Sequence, residues 1–389
     1  MERDWENLPK HLLDSVAEKL PKPSDYLGFS LVCKSWYSVA KDNSTKHASM
    51  TAPMLLFNSG KKDYCNFYDL ISQKVLNFQV NVPRTRLVGS SKGCLIFTEK
   101  NTVDRTFSVS LVNPLFRIIG REEKANSLIR LPPLTPRGWK KWYKNSRRYV
   151  RKATISADPI LHPNDCIVTV IHLERGRSAF INLGKDTKWT YVYEKVDDAL
   201  LGFHMIEEVA SLGNKFYAVN CWSEVLSFDV AAGCSSSNTK LVGRGCDPGE
   251  YDIKRYIFEG EKNTLWMVQR YLKFGSSKRV TKKFRVFELN FQGAEWTEKN
   301  TLDDAALFVG ENSSVRVLPA EVVGFESNCI YFNHDFDYLG TDDYRACDFG
   351  VYSVEDQCFR NIYTESSNKL LKMSYPMPIW VVPTLSFPL

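Results

Sequence analysis

The 389-residue chain has no long hydrophobic run, no Cys-x-x-Cys and no clustered histidines. Each absence excludes a class of protein. Its apolar stretches fall far short of the ~20 residues that cross a bilayer, and its first residues do not resemble a signal peptide. No membrane partner is therefore expected, and the compartment expected is a reducing one, nucleus and/or cytoplasm. The ten dispersed cysteines then read as free thiols and small buried hydrophobes, not as a disulfide framework. The six histidines, at positions 11, 47, 162, 172, 204 and 334, lack ligand spacing. Metalloprotease, nucleophile-elbow, phosphate-loop and dinucleotide patterns are all missing. The sequence thus points to no catalytic residue, no metal and no other cofactor. One segment, Asp335-x-Asp337-x-Leu339-Gly340, superficially resembles a calcium loop. It fails because Leu339 takes a ligand position and Ala346 stands where the bidentate Glu belongs. Residues 333–348 are expected to form a solvated acidic loop, with a possible role as a recognition surface.

Acidic residues are also missing from one stretch. Arg137, Lys140, Lys141, Lys144, Arg147, Arg148, Arg151 and Lys152 follow one another with no intervening acid. Removing those eight charges from the net +6 leaves the rest of the chain at −2, so the basicity is local. That distribution argues against nucleic acid as a partner, although Trp139, Trp142 and Tyr143 interleave with the charges as base stacking would require. The stretch is read as an exposed loop, with an import signal or an acidic-partner patch as the functional alternative. A second cluster between Lys273 and Arg285, centred on Gly275-Ser276-Ser277, reads as a long solvated hairpin loop.

Helical periodicity is confined to the N-terminal region, residues 1–45. Leu8, Leu12, Leu13, Val16, Ala17 and Leu20 mark one amphipathic helix, with Pro9 suited to its first turn. Pro21 and Pro23 end it, Ser24 or Asp25 can cap a second helix through Leu27 and Leu31, and a third runs through Cys33, Trp36, Val39 and Ala40. Fewer than about 40 residues rarely sustain a core alone, which points to a partner protein. The other reading is a helical cap packed on the body of the protein.

From residue 50 to 389 the pattern becomes β: four- to seven-residue branched or aromatic runs separated by Gly, Asn, Asp and Pro. Clear examples are 54–57, 65–68, 94–97, 107–112, 166–171, 178–181, 215–219, 225–229, 264–268, 284–289, 329–332 and 350–354. A degenerate unit (polar turn, aromatic strand, loop, second strand) recurs around Tyr217 and Phe228, Trp266 and Phe287, and Tyr331 and Tyr352. A longer echo pairs Lys188-Trp189-Thr190 with Glu295-Trp296-Thr297, about two propeller-blade periods of ~40–50 residues apart. The expected fold is mainly β: a small three-helix module followed by a β-propeller of six or seven blades, six favoured, with a β-sandwich as the alternative.

These residues carry a family resemblance. Leu8-Pro9-x-x-Leu12-Leu13-x-x-Val16, then Leu27, then Val32-Cys33-Lys34-x-Trp36 resembles an F-box. Val112-Asn113-Pro114-Leu115 with Leu131-Pro132-Pro133-Leu134, and the later Ile379-Trp380 segment, are similar to motifs of plant F-box proteins with a degenerate C-terminal β-propeller (DUF295-like). One departure is that the family's Asp-Leu-Leu in the second helix is here Asp25-Tyr26-Leu27-Gly28, where Gly28 costs ~1 kcal/mol in helix propensity. The resemblance implies a non-catalytic substrate-recognition subunit of a Skp-cullin-F-box ubiquitin ligase. Leu8, Pro9, Leu12, Leu13, Val16, Leu27, Val32, Cys33 and Trp36 would face the Skp-family adaptor, and through it the cullin complex. The propeller's loops and central opening would hold an unknown protein target. The alternatives are a scaffold that binds without promoting degradation and, further off, a propeller enzyme or sugar-binding module.

Overall fold

The computed structural model describes residues 5–20, 23–43, 52–58, 64–81, 86–101, 106–114, 128–135, 149–172, 177–192, 205–213, 215–229, 240–246, 252–275, 279–318, 324–335, 348–360, 363–365, 369 and 378–384. Three short helices come first: α1 (Lys10–Glu18), α2 (Pro23–Ser30) and α3 (Lys34–Asp42). Pro9 sits just outside α1 as its N-cap, not in its first turn, and its carbonyl accepts from the Leu12 and Leu13 amides at 3.0 and 3.3 Å. Pro23 opens α2, where the missing amide proton costs nothing. Leu13, Ala17, Tyr26, Phe29, Val39 and Ala40 form a core shared by the three helices. Tyr26 explains the departure noted above: its ring is buried and its hydroxyl donates to the Ala40 carbonyl at 2.7 Å. An aromatic residue with a polar tip thus ties α2 to α3.

The rest is six sheets, which make six blades. Blade A joins β1 (Met54–Asn58), β2 (Tyr64–Asp69) and β3 (Lys74–Asn81) to a strand from the other end of the chain, β25 (Ile379–Val381). Blade B is β4 (Arg86–Ser91), β5 (Cys94–Asn101), β6 (Thr106–Val112) and β7 (Leu128–Leu134). Blade C is β8 (Val150–Ile155), β9 (Ile167–His172), β10 (Arg177–Asn182) and β11 (Thr190–Tyr191). Blade D is β12 (Ile206–Leu212), β13 (Lys215–Asn220), β14 (Val225–Asp229) and β15 (Lys240–Gly243). Blade E is β16 (Ile253–Glu259), β17 (Leu265–Phe274), β18 (Arg279–Asn290) and β19 (Glu295–Lys299). Blade F has five strands: β20 (Ala306–Val309), β21 (Val315–Val317), β22 (Cys329–Phe332), β23 (Gly350–Ser353) and β24 (Cys358–Arg360).

Six apolar clusters fill the six gaps between neighbouring blades, and the seventh belongs to the helices. Each blade therefore buries one face against the next, and the ring must close to bury the last. Pairing of Leu55 with Trp380 across β1 and β25 makes that closure. Asn113 holds the chain beyond β25, donating to the Thr384 carbonyl at 3.1 Å. The paired tryptophans of the sequence echo lie on outer strands two blades apart or at their edge. Trp189 donates to Pro132 O and Trp296 to Ser223 O, each at 2.8 Å and each to the backbone of the preceding blade. The repeated unit is the β13–β14, β17–β18 and β22–β23 hairpin of blades D, E and F. Leu31, in the turn between α2 and α3, packs on the cluster between blades A and B and seats the helices on the propeller.

Candidate functional site

Two regions concentrate chemistry. The first is the outer face of the helical module. Leu12, Val16 and Val32 are 45%, 39% and 53% exposed although all three are aliphatic, and Trp5 beside them is exposed as well. Pro9 is exposed, while Leu8, Cys33 and Trp36 are half-buried at the edge of the helical core. Cys33 caps α3, its carbonyl accepting from the Tyr37 amide at 3.0 Å. Trp36 donates to the Trp5 carbonyl at 2.8 Å and leans on Phe29, ring centroids 4.8 Å apart. Leu13 departs from the expectation. At 1% exposure it fills the centre of the helical core and presents nothing outward. The reason is its helical phase, which puts it on the buried face shared with Ala17, about 100° round the helix from Leu12. The side chain of Leu27 lies outside the described residues.

The second region is the propeller axis, where the structure corrects three expectations. The central opening is not free. The turn between β20 and β21, residues 310–314, crosses it and bonds to three blades on the far side. Ser313 donates its amide to Ser90 O at 2.9 Å and its hydroxyl to Thr154 at 2.8 Å, and Ser314 reaches Glu208 at 3.2 Å. Lys152 donates to the Gly310 carbonyl at 3.1 Å. A Cβ at Gly310 would meet the carboxamide of Asn333, which would have to move to admit it.

The basic stretch is not one exposed loop. Arg137, Lys140, Lys141, Lys144, Arg147 and Arg148 lie outside the described residues, but Arg151 and Lys152 sit on the inner strand β8 and are buried. Lys152 forms a short, buried ion pair with Glu208 of β12. The strand carries them inward because β8 lines the axis and its charges find carboxylates there.

Nor are the ends of the 333–348 segment solvated. Asn333, His334, Asp335 and Asp348 are buried, while the residues between Asp335 and Asp348 lie outside the described set. Two arginines from the second basic cluster and its neighbour hold these ends. Arg279 reaches Asp335 at 2.8 Å and Asp348 at 3.3 Å; Arg270 reaches Asp348 at 3.0 Å and Asp335 at 3.5 Å. Tyr256 donates to Asp335 at 2.5 Å, and Thr281 donates both amide and hydroxyl to Asp348. The hairpin expected between Lys273 and Arg285 is present as the antiparallel pair β17 and β18, but its strands run as far as Phe274 and Arg279, so its loop is short and Arg279, with Arg270 on β17, is buried and not solvated. Lys282 and Lys283 on β18 do face solvent.

These surroundings set the protonation states. Burial pushes Asp335 up, but Lys254, Arg279 and Arg270 together outweigh it and hold the carboxyl well below its usual range. Burial pushes Glu208 up to about 7 despite Lys152 and Ser314, which pull the other way. Burial lowers His334 to about 2 and His172 to about 3, helped by Arg279 and Arg177, so both rings are neutral. A cavity of about 40 Å³ remains open at this end of the axis, walled mainly by Arg151, Lys152, Lys254, Arg255, Glu207 and Asp335. Among the described residues no group of three His, Cys, Asp or Glu is arranged to hold a metal ion. No helix among them is long and apolar enough to cross a membrane.

Sequence reasoning missed Arg255, Arg270, Glu207 and Glu208, and read Arg279 as part of a solvated cluster. For Arg255, Glu207 and Glu208 a signal was present: three inner strands begin with an apolar residue followed by two charges, Val150-Arg151-Lys152, Ile206-Glu207-Glu208 and Ile253-Lys254-Arg255.

Comparison with known proteins agrees with both parts of this architecture. Residues 67–353 match the model of the KIB1-4 beta-propeller family, and residues 5–47 match the F-box-like family. The F-box protein SKIP23 of Arabidopsis thaliana is 24% identical over 421 residues, covering 97% of this chain and 95% of that one. The F-box protein At2g17036 of the same plant is 22% identical over 421 residues, with the same coverage of 97% and 95%. Among solved structures, the Cps50 (Swd1) beta-propeller domain of Myceliophteria thermophila is similar over 79% of this chain and 82% of that one, with 9% identity and a TM-score of 0.40. The family match spans most of the chain and the helical match supplies the remainder: the chain belongs to the plant F-box proteins that carry a KIB1-4 β-propeller.

Proposed function

We propose that the chain is the target-recognition subunit of a Skp-cullin-F-box ubiquitin ligase. The observation that carries this reading is the exposed aliphatic face of the helical module, Leu12, Val16 and Val32, beside Pro9 and the edge of Trp36. Apolar side chains of one small module left in water mark a docking surface more often than chance exposure does. The partner is a Skp-family adaptor and, through it, the cullin complex. Leu13 belongs to this reading only as the residue that holds α1 in place. The propeller supplies the other end, binding a protein target so that its lysines meet the ubiquitin-charged enzyme. Such a role is positional: it raises effective concentration and asks for no catalytic group in this chain.

Because residues 310–314 fill the propeller axis, the target surface is assigned to the blade faces and the shallow mouth of the axis, not to a through-channel. The test is a purified-component binding assay between a Skp adaptor and the full chain. Leu12→Asp and Val32→Asp place charge on the exposed face without touching the helical core. At least tenfold weaker adaptor binding by each, with an unchanged melting curve, is the expected result. Unchanged affinity in both removes the adaptor assignment and puts the scaffold reading first.

A further inference from the structure

The strand that closes the ring, β25, has only three residues and lies at the end of its sheet, paired with β1. Its side chains alternate between two seams, as strand geometry requires. Trp380 enters the cluster between blades F and A, its ring 5.0 Å from that of Phe308. Ile379 and Val381 enter the cluster between blades A and B. So short a ladder offers few bonds, and both of its ends are held from outside the sheet. The buried side chain of Asn333, in blade F, donates to the Pro378 carbonyl at 2.7 Å, just before the strand. The buried side chain of Asn113, at the end of β6 in blade B, donates to the Thr384 carbonyl at 3.1 Å, just after it. The Thr384 hydroxyl also reaches Asp158, beyond β8 in blade C, at 3.4 Å. Two asparagines from the neighbouring blades thus clasp the closing strand, one at either end.

The helical module sits on the same strand. Leu31 packs on the cluster to which β25 gives Ile379 and Val381, and among the described residues it is the one helical side chain there. Val112, the residue before Asn113, belongs to that cluster as well. Ring closure and the seat of the helices therefore draw on one set of side chains, and a β25 that lifts from β1 takes part of the Leu31 contact with it. We propose that Asn113 and Asn333 are positioning residues: by keeping the closing strand down they hold the helical module on the propeller. The functional consequence rests on the ligase reading above, in which a seated module presents a bound target in one orientation.

The test is hydrogen–deuterium exchange on the full chain, with limited proteolysis between Asn43 and Ala52 and Skp-adaptor binding read on the same samples. Asn113→Ala should speed exchange in the 378–384 peptide about fivefold, the effect of one lost hydrogen bond on local opening. Cleavage between helices and propeller should rise by a similar factor. Peptides from β13 and β17, in blades D and E, should keep wild-type rates, which a general loss of stability would not allow. Asn113→Asp keeps the size of the side chain but not its donor, and should match Asn113→Ala. The coupling itself is read against Leu31→Ala: adding Asn113→Ala to it should not speed cleavage further, because both changes act at one contact. If Asn113→Ala fails to fold by its melting curve, Thr384→Val, which loses the hydroxyl contacts to Asn113 and Asp158, carries the same expectations at about twofold. Unchanged exchange at 378–384 refutes the clasp. Faster exchange there with unchanged cleavage, or additive cleavage in the double variant, refutes the coupling. Adaptor binding should stay within about twofold of wild type throughout. Its absence in the wild type refutes the ligase reading alone, while exchange and cleavage still decide the role of the two asparagines.

Discussion

Replacing Arg270 by Met takes one long, fully buried side chain out of the propeller axis and keeps most of its volume. Arg270 donates to Thr281 at 2.8 Å, to the Asn333 carbonyl at 2.8 Å and to Asp348 at 3.0 Å, and its guanidinium lies 4.7 Å from the centre of the Phe332 ring. Methionine can keep part of the ring contact and none of the hydrogen bonds. Asp348 retains Arg279 and Thr281, but Asp335 and Asp348 then share a single arginine where they shared two. Removing one partner of a buried ionic set costs about 3–5 kcal/mol, because the remaining charge stays buried without compensation. With an unfolding entropy of ~2.1 cal/mol/K per residue over roughly 340 propeller residues, that loss lowers the melting temperature by about 4–7 °C. Arg360→Met is the matched control. It breaks an exposed pair with Asp356, worth at most about 1 kcal/mol. Thermal denaturation followed by near-ultraviolet circular dichroism reports on both. If the two variants melt within 1–2 °C (roughly) of each other, the axis is not the buried ionic core described here.

Other predictions concern pH and the blade contacts. Glu208 is held above the ordinary carboxyl value, so the folded state binds a proton that the unfolded chain releases first. Stability should therefore fall as pH rises from ~4.5, the unfolded range, towards 7, and Glu208→Gln should flatten that slope in a series of urea titrations. Asp335 has the opposite sign: its carboxyl is depressed, so its contribution is present above pH ~4 and is lost on further acidification. Asp335→Asn should lower stability at neutral pH and reduce the acid sensitivity. Trp189→Phe and Trp296→Phe each delete one hydrogen bond to a preceding blade, and each should cost about 1 kcal/mol. The two should be additive because the contacts are two blades apart.

What the sequence revealed follows from where each strand sits. All twelve runs picked out by apolar composition overlap strands, and all twelve are middle strands of their blades, such as β5, β9, β13 and β17. Middle strands are covered on both faces by neighbouring blades, so they read as continuous hydrophobic runs. The inner strands escaped notice because one face turns towards the axis. Val150-Arg151-Lys152 and Ile253-Lys254-Arg255 look like surface segments until the ring closes around them. Outer strands such as β11 and β24 are short, the first half-exposed and the second exposed, leaving little pattern to find. The helical module was legible because its periodicity is local. Leu13 was misplaced for a different reason. Adjacent leucines at 12 and 13 are equivalent in a motif, yet one helical step separates the exposed face from the core.

The ionic core and the turn that crosses it bear on how the propeller binds anything. A propeller with an open axis can thread a ligand or hold metal at its centre. Here residues 310–314 tie blade F to Ser90, Thr154 and Glu208 on blades B, C and D, so the opposite sides of the ring are cross-linked through the middle. A target that had to enter the axis would break those bonds together with the Lys152–Glu208 pair. A target that rests on the face breaks none. The same cross-links stiffen the ring, and Leu31 seats the helices on blades A and B, so the helical module and the propeller are joined by packed structure. Leu31→Asp tests this last step. Charge in that apolar contact should loosen the joint, leaving adaptor binding within about twofold of wild type, less than 0.5 kcal/mol, because Leu31 lies outside the helical core. Limited proteolysis should then cut between the helices and the propeller much faster than in the wild type. Equal cleavage rates would mean that the connecting segment, not the Leu31 contact, sets how the two parts are held.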